Sequence, residues 1–104
     1  MFTLTDETFD SFSSRSSVPV LVDFWASWCA PCRLLAPLVE NLSNEYGEKL
    51  AVCKIDIDSS PKVAAQLGIT ALPTLILFKD GVPVARHVGT ATMTKLRSFV
   101  SEHV

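Results

Sequence analysis

Apolar residues run almost without a break from Val18 to Trp25. A strand covered on one face alternates with polar residues, whereas one covered on both faces does not, so this run predicts a central strand. Its single interruption is Asp23. From Pro31 to Tyr46 the spacing changes. Leu35, Leu38, Val39, Leu42 and Tyr46 recur with the helical period and Gly47 falls just past the end. Pro37 lies within this helix, removes a backbone donor and predicts a kink. Leu50 to Asp56 reads as a strand with Ala51, Cys53 and Ile55 on one face. Ser60 is placed to cap a short helix that has Pro61 at its first position, runs through Val63 to Leu67 and stops at Gly68.

Leu75 to Phe78 is a further apolar strand, and Asp80-Gly81 is a hairpin turn signal. Pro83 to Val88 is the returning strand, with Pro83 marking a sheet edge. Thr92 caps a last helix whose Met93, Leu96, Phe99 and Val100 share one face. At the other terminus, Phe2 to Leu4 predicts a short edge strand. Thr5 is placed to cap a first helix with Asp6 and Glu7 in its opening turn and Phe9 and Phe12 on one face, and the serines from Ser13 to Ser17 end it. The order is β-α-β-α-β-α-β-β-α. Helix-separated strands imply parallel pairing and the late hairpin implies antiparallel pairing. The pattern therefore predicts an α/β fold with a central mixed sheet and helices on both faces.

Composition narrows the class. The 104 residues and the absence of any internal repeat predict a single domain over 1–104. A formal charge of −2, from 9 basic and 11 acidic residues with no basic cluster, gives no basis for binding nucleic acid through its phosphates. The first residues carry neither a basic region nor an apolar core of a secretory signal, and no apolar run reaches the ~18 residues of a membrane span, so the expected location is cytoplasmic. Three cysteines, an odd number, fit a reducing compartment better than a disulfide framework.

The chemistry concentrates in Trp28-Cys29-Ala30-Pro31-Cys32, between the central strand and the long helix. At a helix start, residues three apart share a face with Cβ atoms ~5–6 Å apart, close to disulfide range. The unpaired N–H groups and positive end of the helix favour a thiolate at the first cysteine. Pro31 fits the first turn and stiffens the spacing. As a structural staple the pair would do little. Closing a four-residue loop is worth only ~2 kcal/mol, against ~4.7 for a loop of 100 residues. Half a zinc site lacks its second half, since Cys53, His87 and His103 are scattered singly, and no metal is expected. A reversible redox pair remains.

With the residues around it, the motif resembles the thioredoxin family. The resemblance rests on Val22-Asp23-Phe24-Trp25, Trp28-Cys29-Ala30-Pro31-Cys32 and Pro37. It continues through Lys54-Ile55-Asp56-Ile57-Asp58, Leu72-Pro73-Thr74-Leu75, Phe78-Lys79-Asp80-Gly81 and Val88-Gly89. It spans essentially the whole chain and implies a thioredoxin fold with about five strands and about four helices. It also implies a general protein-disulfide reductase in which Cys29 attacks the substrate disulfide, Cys32 resolves the mixed disulfide, and a Cys29–Cys32 disulfide results. Ala30 stands where the commonest motif of the family has glycine, so Ala30 and Pro31 are expected to tune the potential.

Asp23 can be weighed on its own physics: burial raises a carboxyl pKa, and a carboxylate poised near neutrality can accept a proton. Asp23 is expected to deprotonate Cys32 through water, with Lys54 as its electrostatic partner. The resemblance implies a cis Leu72-Pro73 bond facing the motif. It also implies substrate pairing along the backbone of Ala71 and Leu72, and an apolar groove formed with Trp28 and Gly89. The chain itself is expected to bind no cofactor. Electrons would come from NADPH through a thioredoxin reductase, or from a ferredoxin-linked reductase. Expected partners are that reductase and disulfide-bearing target proteins, and the chain is expected to be a monomer. The competing reading is a non-enzymatic binding subunit that uses the same groove. Trp25 is expected in the core, Trp28 partly exposed, Cys53 as a small core hydrophobe, and His87 and His103 at the surface.

Overall fold

The computed structural model describes all residues, 1–104. Its elements are β1 (Phe2–Thr3), α1 (Phe9–Arg15), β2 (Val20–Trp25), α2 (Ala30–Tyr46), β3 (Ala51–Asp56), α3 (Pro61–Gln66), β4 (Thr74–Lys79), β5 (Val82–Val88) and α4 (Met93–Ser101). A 3-10 turn, Gly47–Lys49, follows α2. The sheet order is β1-β3-β2-β4-β5. β2 is parallel to β3 and antiparallel to β4, and β4 and β5 form an antiparallel hairpin. This is the mixed α/β sheet that the pattern predicts, with the five strands and four helices that the family resemblance implies.

The central position of β2 explains its unbroken apolar run. Val20, Val22 and Phe24 face one core with Phe9 of α1, Val63 of α3, Cys53, Ile55 and Ile76. Leu21 faces the other core, with Leu35, Val39 and Leu42 of α2 and Leu96 and Val100 of α4. Alternation along β2 therefore puts Asp23 on the α2 side. The hairpin turn places Asp80 at φ 53° and Gly81 at φ 78°. A Cβ on Gly81 would also sit 3.3 Å from Ser14 Cα, a tight contact, so glycine is favoured there on both counts. α2 and α4 are joined by a paired Arg97–Glu45 contact on the surface, with Nη2–Oε1 at 2.6 Å.

Some expectations fail locally. The first helix begins at Phe9 with Thr8, not Thr5, before it, and Asp10 is the acid in its first turn. Thr5 accepts the Phe9 N–H through its carbonyl instead. The helix also continues to Arg15, with Ser13 buried, so the serines do not end it where expected. The central strand starts at Val20, two residues later than the apolar run. Ser60 holds the cap position of α3 but makes no side-chain cap bond. Asp6, 56 residues away, does that work. Its two carboxylate oxygens accept the N–H groups of Lys62 (3.2 Å) and Val63 (2.9 Å).

The sheet polarity gathers one end of the molecule. β2, β3 and β5 run out at this end and β4 starts there. The segments following Trp25, Asp56 and Val88 and the one preceding Thr74 therefore converge. Loops at the carboxyl ends of strands are where α/β folds build their sites.

Candidate active site

The converging segments bring together most of the residues singled out in the sequence. Cys29 is the N-cap of α2, with extended backbone, and Ala30 and Pro31 open the helix. Cys29 and Cys32 form a disulfide with Cα atoms 5.3 Å apart. The Cys32 N–H points at Cys29 Sγ, at 3.2 Å. Sulfur thus takes the role that a serine or aspartate oxygen usually plays at a helix start. An N–H donor and the positive end of a helix are both of the kind that favours a thiolate over a thiol. Cys29 is only 5% exposed and Cys32 only 3%, and each lines a different cavity.

The first is a groove of about 460 Å³ lined by Trp28, Cys29, Ala30, Pro31, Ile57, Ile69, Thr70, Ala71 and Leu72. Ile57, Ile69 and Thr70 were missed by sequence reasoning; Ile57 and Ile69 carry the apolar signal that could have found them. Trp28 is 66% exposed, as expected of a residue beside the motif. Its indole N–H donates to Asp58 Oδ2 at 2.9 Å, and the Asp58 N–H donates to Asp56 Oδ1 at 2.9 Å. The carboxylate pair at the end of β3 thereby fixes the indole as one wall. Arg33 donates from Nη1 to the Ser27 carbonyl at 2.7 Å and ties the loop before the motif to α2.

The opposite wall is the 69–72 segment. The Leu72-Pro73 peptide is cis. Thr74 Oγ1 donates to the Ala71 carbonyl at 2.6 Å. Gly89 does not line the groove. Its N–H donates to the Pro73 carbonyl at 2.8 Å, with Gly89 at φ 95°, so it braces the proline from behind.

A second cavity, about 200 Å³, lies on the other side of the disulfide and is lined by Met1, Asp23, Trp25, Cys32, Arg33, Ala36, Glu40 and Lys54. It joins Asp23 to Cys32. Asp23 is 4% exposed and no donor reaches its Oδ1. Burial pushes its pKa from 3.8 up to about 7, and the charge of Lys54 pulls in the other direction without overcoming it. Asp23 and Lys54 are register partners on β2 and β3. The Lys54 ammonium lies 5.9 Å from the centre of the Trp25 ring. Trp25 itself is half-buried, not core as expected, because it sits at the strand end against Cys29 and Cys32. Cys53 is fully buried, and burial pushes its thiol up to about 12. His87 and His103 are half-buried rather than fully at the surface. His87 Nε2 lies 3.1 Å from the Thr90 carbonyl and the ring stacks edge-on to Phe99. No three His, Cys, Asp or Glu side chains cluster as a metal site, and no helix is long and apolar enough to cross a membrane.

A cysteine at a helix start that lines the groove, a partner three residues on that lines the second cavity and a buried carboxyl in that cavity are the parts of a dithiol oxidoreductase. Comparison with known proteins agrees. The Thioredoxin family model matches residues 1–102. Thioredoxin 1 of Synechococcus elongatus is 45% identical over 101 residues, covering 97% of this chain and 94% of its own length. Thioredoxin of Mycolicibacterium smegmatis is 49% identical over 101 residues, covering 95% and 90%. Thioredoxin C-2 of Corynebacterium nephridii is 45% identical over 100 residues, covering 96% and 93%. The chain belongs to the thioredoxin family and is a dithiol protein-disulfide reductase. Nothing in the structure favours the non-enzymatic binding subunit.

Proposed function

We propose that this chain acts as one domain, 1–104, that donates two electrons to protein disulfides in the cytoplasm. The placement of the Cys29–Cys32 pair, with Cys29 lining the groove and Cys32 lining the Asp23 cavity, carries this reading. Cys29 thiolate attacks one sulfur of the substrate disulfide and expels the other as a thiolate. Cys32 then gives its proton to Asp23 through water. Its thiolate attacks Cys29 Sγ, and the second substrate thiolate leaves. The chain is left with the Cys29–Cys32 disulfide and the substrate with two thiolates, which take protons from water.

The substrate lies extended along Ala71 and Leu72, pairing with their backbone while Trp28, Leu72 and Pro73 pack its side chains. Lys54 keeps Asp23 from being protonated at every accessible pH. Ala30 and Pro31 set the potential through the conformation of the first helical turn. A thioredoxin reductase fed by NADPH returns the electrons; a ferredoxin-linked reductase is the alternative source. In this reading the monomer serves electron transport and cellular redox homeostasis, and binds no cofactor of its own.

Reduction of insulin disulfides tests this, first with dithiothreitol as reductant and then with NADPH and a flavoprotein thioredoxin reductase. Turnover in both is expected. Turnover with dithiothreitol alone would move the electron source to the ferredoxin-linked enzyme. No turnover in either would overturn the reading.

A further inference from the structure

Cys32 and Asp23 are both shielded from solvent, at 3% and 4% exposure. A proton passed from one to the other still has to leave the molecule before the next cycle. The cavity that joins them is the route available, and its rim determines how the proton gets out. Among its lining residues, Arg33 and Lys54 offer donors and no acceptor. Trp25 offers only an N–H donor. Glu40 remains as the acceptor at the rim. Glu40 is exposed on α2, one turn beyond Ala36 and two beyond Arg33, so its carboxylate stands on the same helix face as the cavity and at its solvent side.

We propose that Glu40 is the outlet of the Asp23 proton. The proton moves from Cys32 Sγ to Asp23, from Asp23 through water in the cavity to the Glu40 carboxylate, and from Glu40 to bulk buffer. Each transfer leaves its donor as the conjugate base, and no electrons move. Lys54, the register partner of Asp23, opposes the effect of burial on that carboxyl and so favours release of its proton into the cavity. This inference rests on the reading of Asp23 as the base for Cys32.

The test is single-turnover reduction of a protein disulfide from pH 6 to 9. The first-order phase that does not depend on substrate concentration reports resolution by Cys32. Direct general-base help is worth about 10²–10⁴-fold, and Glu40 acts one transfer further out, so Glu40→Gln is expected to slow this phase roughly three- to tenfold in dilute buffer. Glu40→Asp should retain most of the rate, and concentrated imidazole at constant ionic strength should restore it in Glu40→Gln. In an Asp23→Asn background, Glu40→Gln should add nothing, the signature of two groups on one path. Unfolding in urea reports any structural cost separately. If Asp23→Asn slows resolution and Glu40→Gln does not, the outlet is wrong and direct exchange with water takes its place. If neither variant slows it, the role of Asp23 fails with it. If Glu40→Gln slows the phase equally with and without Asp23, Glu40 acts on something other than this proton and the proposal falls.

Discussion

Replacing Asp23 by asparagine isolates the energetic cost of the buried carboxyl. In the folded chain its pKa stands at about 7, against 3.8 for the unperturbed group. The unfolded chain therefore ionises first as pH rises. Between about pH 4 and 7 the native state holds more protons, and native stability falls with rising pH. The gap corresponds to ~4 kcal/mol once the carboxyl is fully ionised. Worked through the titration, about 1.5 kcal/mol is lost at pH 5 and about 4 at pH 8. Asparagine removes this loss. Its amide meets the same lack of donors that leaves Asp23 Oδ1 unpaired, a cost of ~1–3 kcal/mol that does not change with pH. The informative quantity is thus the change with pH. The stability of Asp23→Asn relative to the parent chain should rise by about 2.5 kcal/mol from pH 5 to pH 8. Urea unfolding of both proteins in the disulfide form, so that neither Cys29 nor Cys32 titrates, should show the midpoint gap widening by roughly 1–2 M. A gap that is constant across this range would refute the argument that desolvation holds Asp23 protonated near neutrality.

Two further outcomes follow from the packing. The Cys53 thiol, fully buried and pushed up to about 12, should not react with iodoacetamide in the folded, disulfide-bonded chain at pH 8 and should react fully in urea. Mass spectrometry of the alkylated protein reads this, and labelling of the folded chain would contradict it. Asp6→Ala removes the acceptor for two N–H groups at the start of α3 and should destabilise the chain by ~1–2 kcal/mol in urea unfolding, while a change below about half a kcal/mol would contradict the capping role.

The elements and their order were legible because the periods differ so clearly: the unbroken run of β2, the 3.6-residue repeat of α2 and the Asp80-Gly81 turn. Asp23 was legible as a polar break in an apolar strand, and its coupling to Cys32 follows from the parity of β2 together with α2 lying on that face. Long-range assignments were not legible. Thr5, Asp6 and Thr8 all have cap chemistry, and nothing local says that Asp6 belongs to a helix 56 residues further on. Asp58 stood in a recognised segment, yet its bond to Trp28 crosses 30 residues. Strand continuity put Trp25 in the core, but continuity along a strand does not say where the covering helices stop. The groove was expected from family resemblance, and only the converging loops show that Gly89 supports Pro73 instead of forming a wall.

The division of labour between the two sulfurs is tested most directly by Cys32→Ser. With no resolving thiol, attack by Cys29 should stop at the mixed disulfide. Incubated in reduced form with a disulfide-bonded protein, Cys32→Ser should accumulate a covalent 1:1 adduct, and peptide mass mapping should place the bond on Cys29. An adduct on Cys53, or no adduct while Cys32→Ser continues to reduce substrate catalytically, would contradict the mechanism.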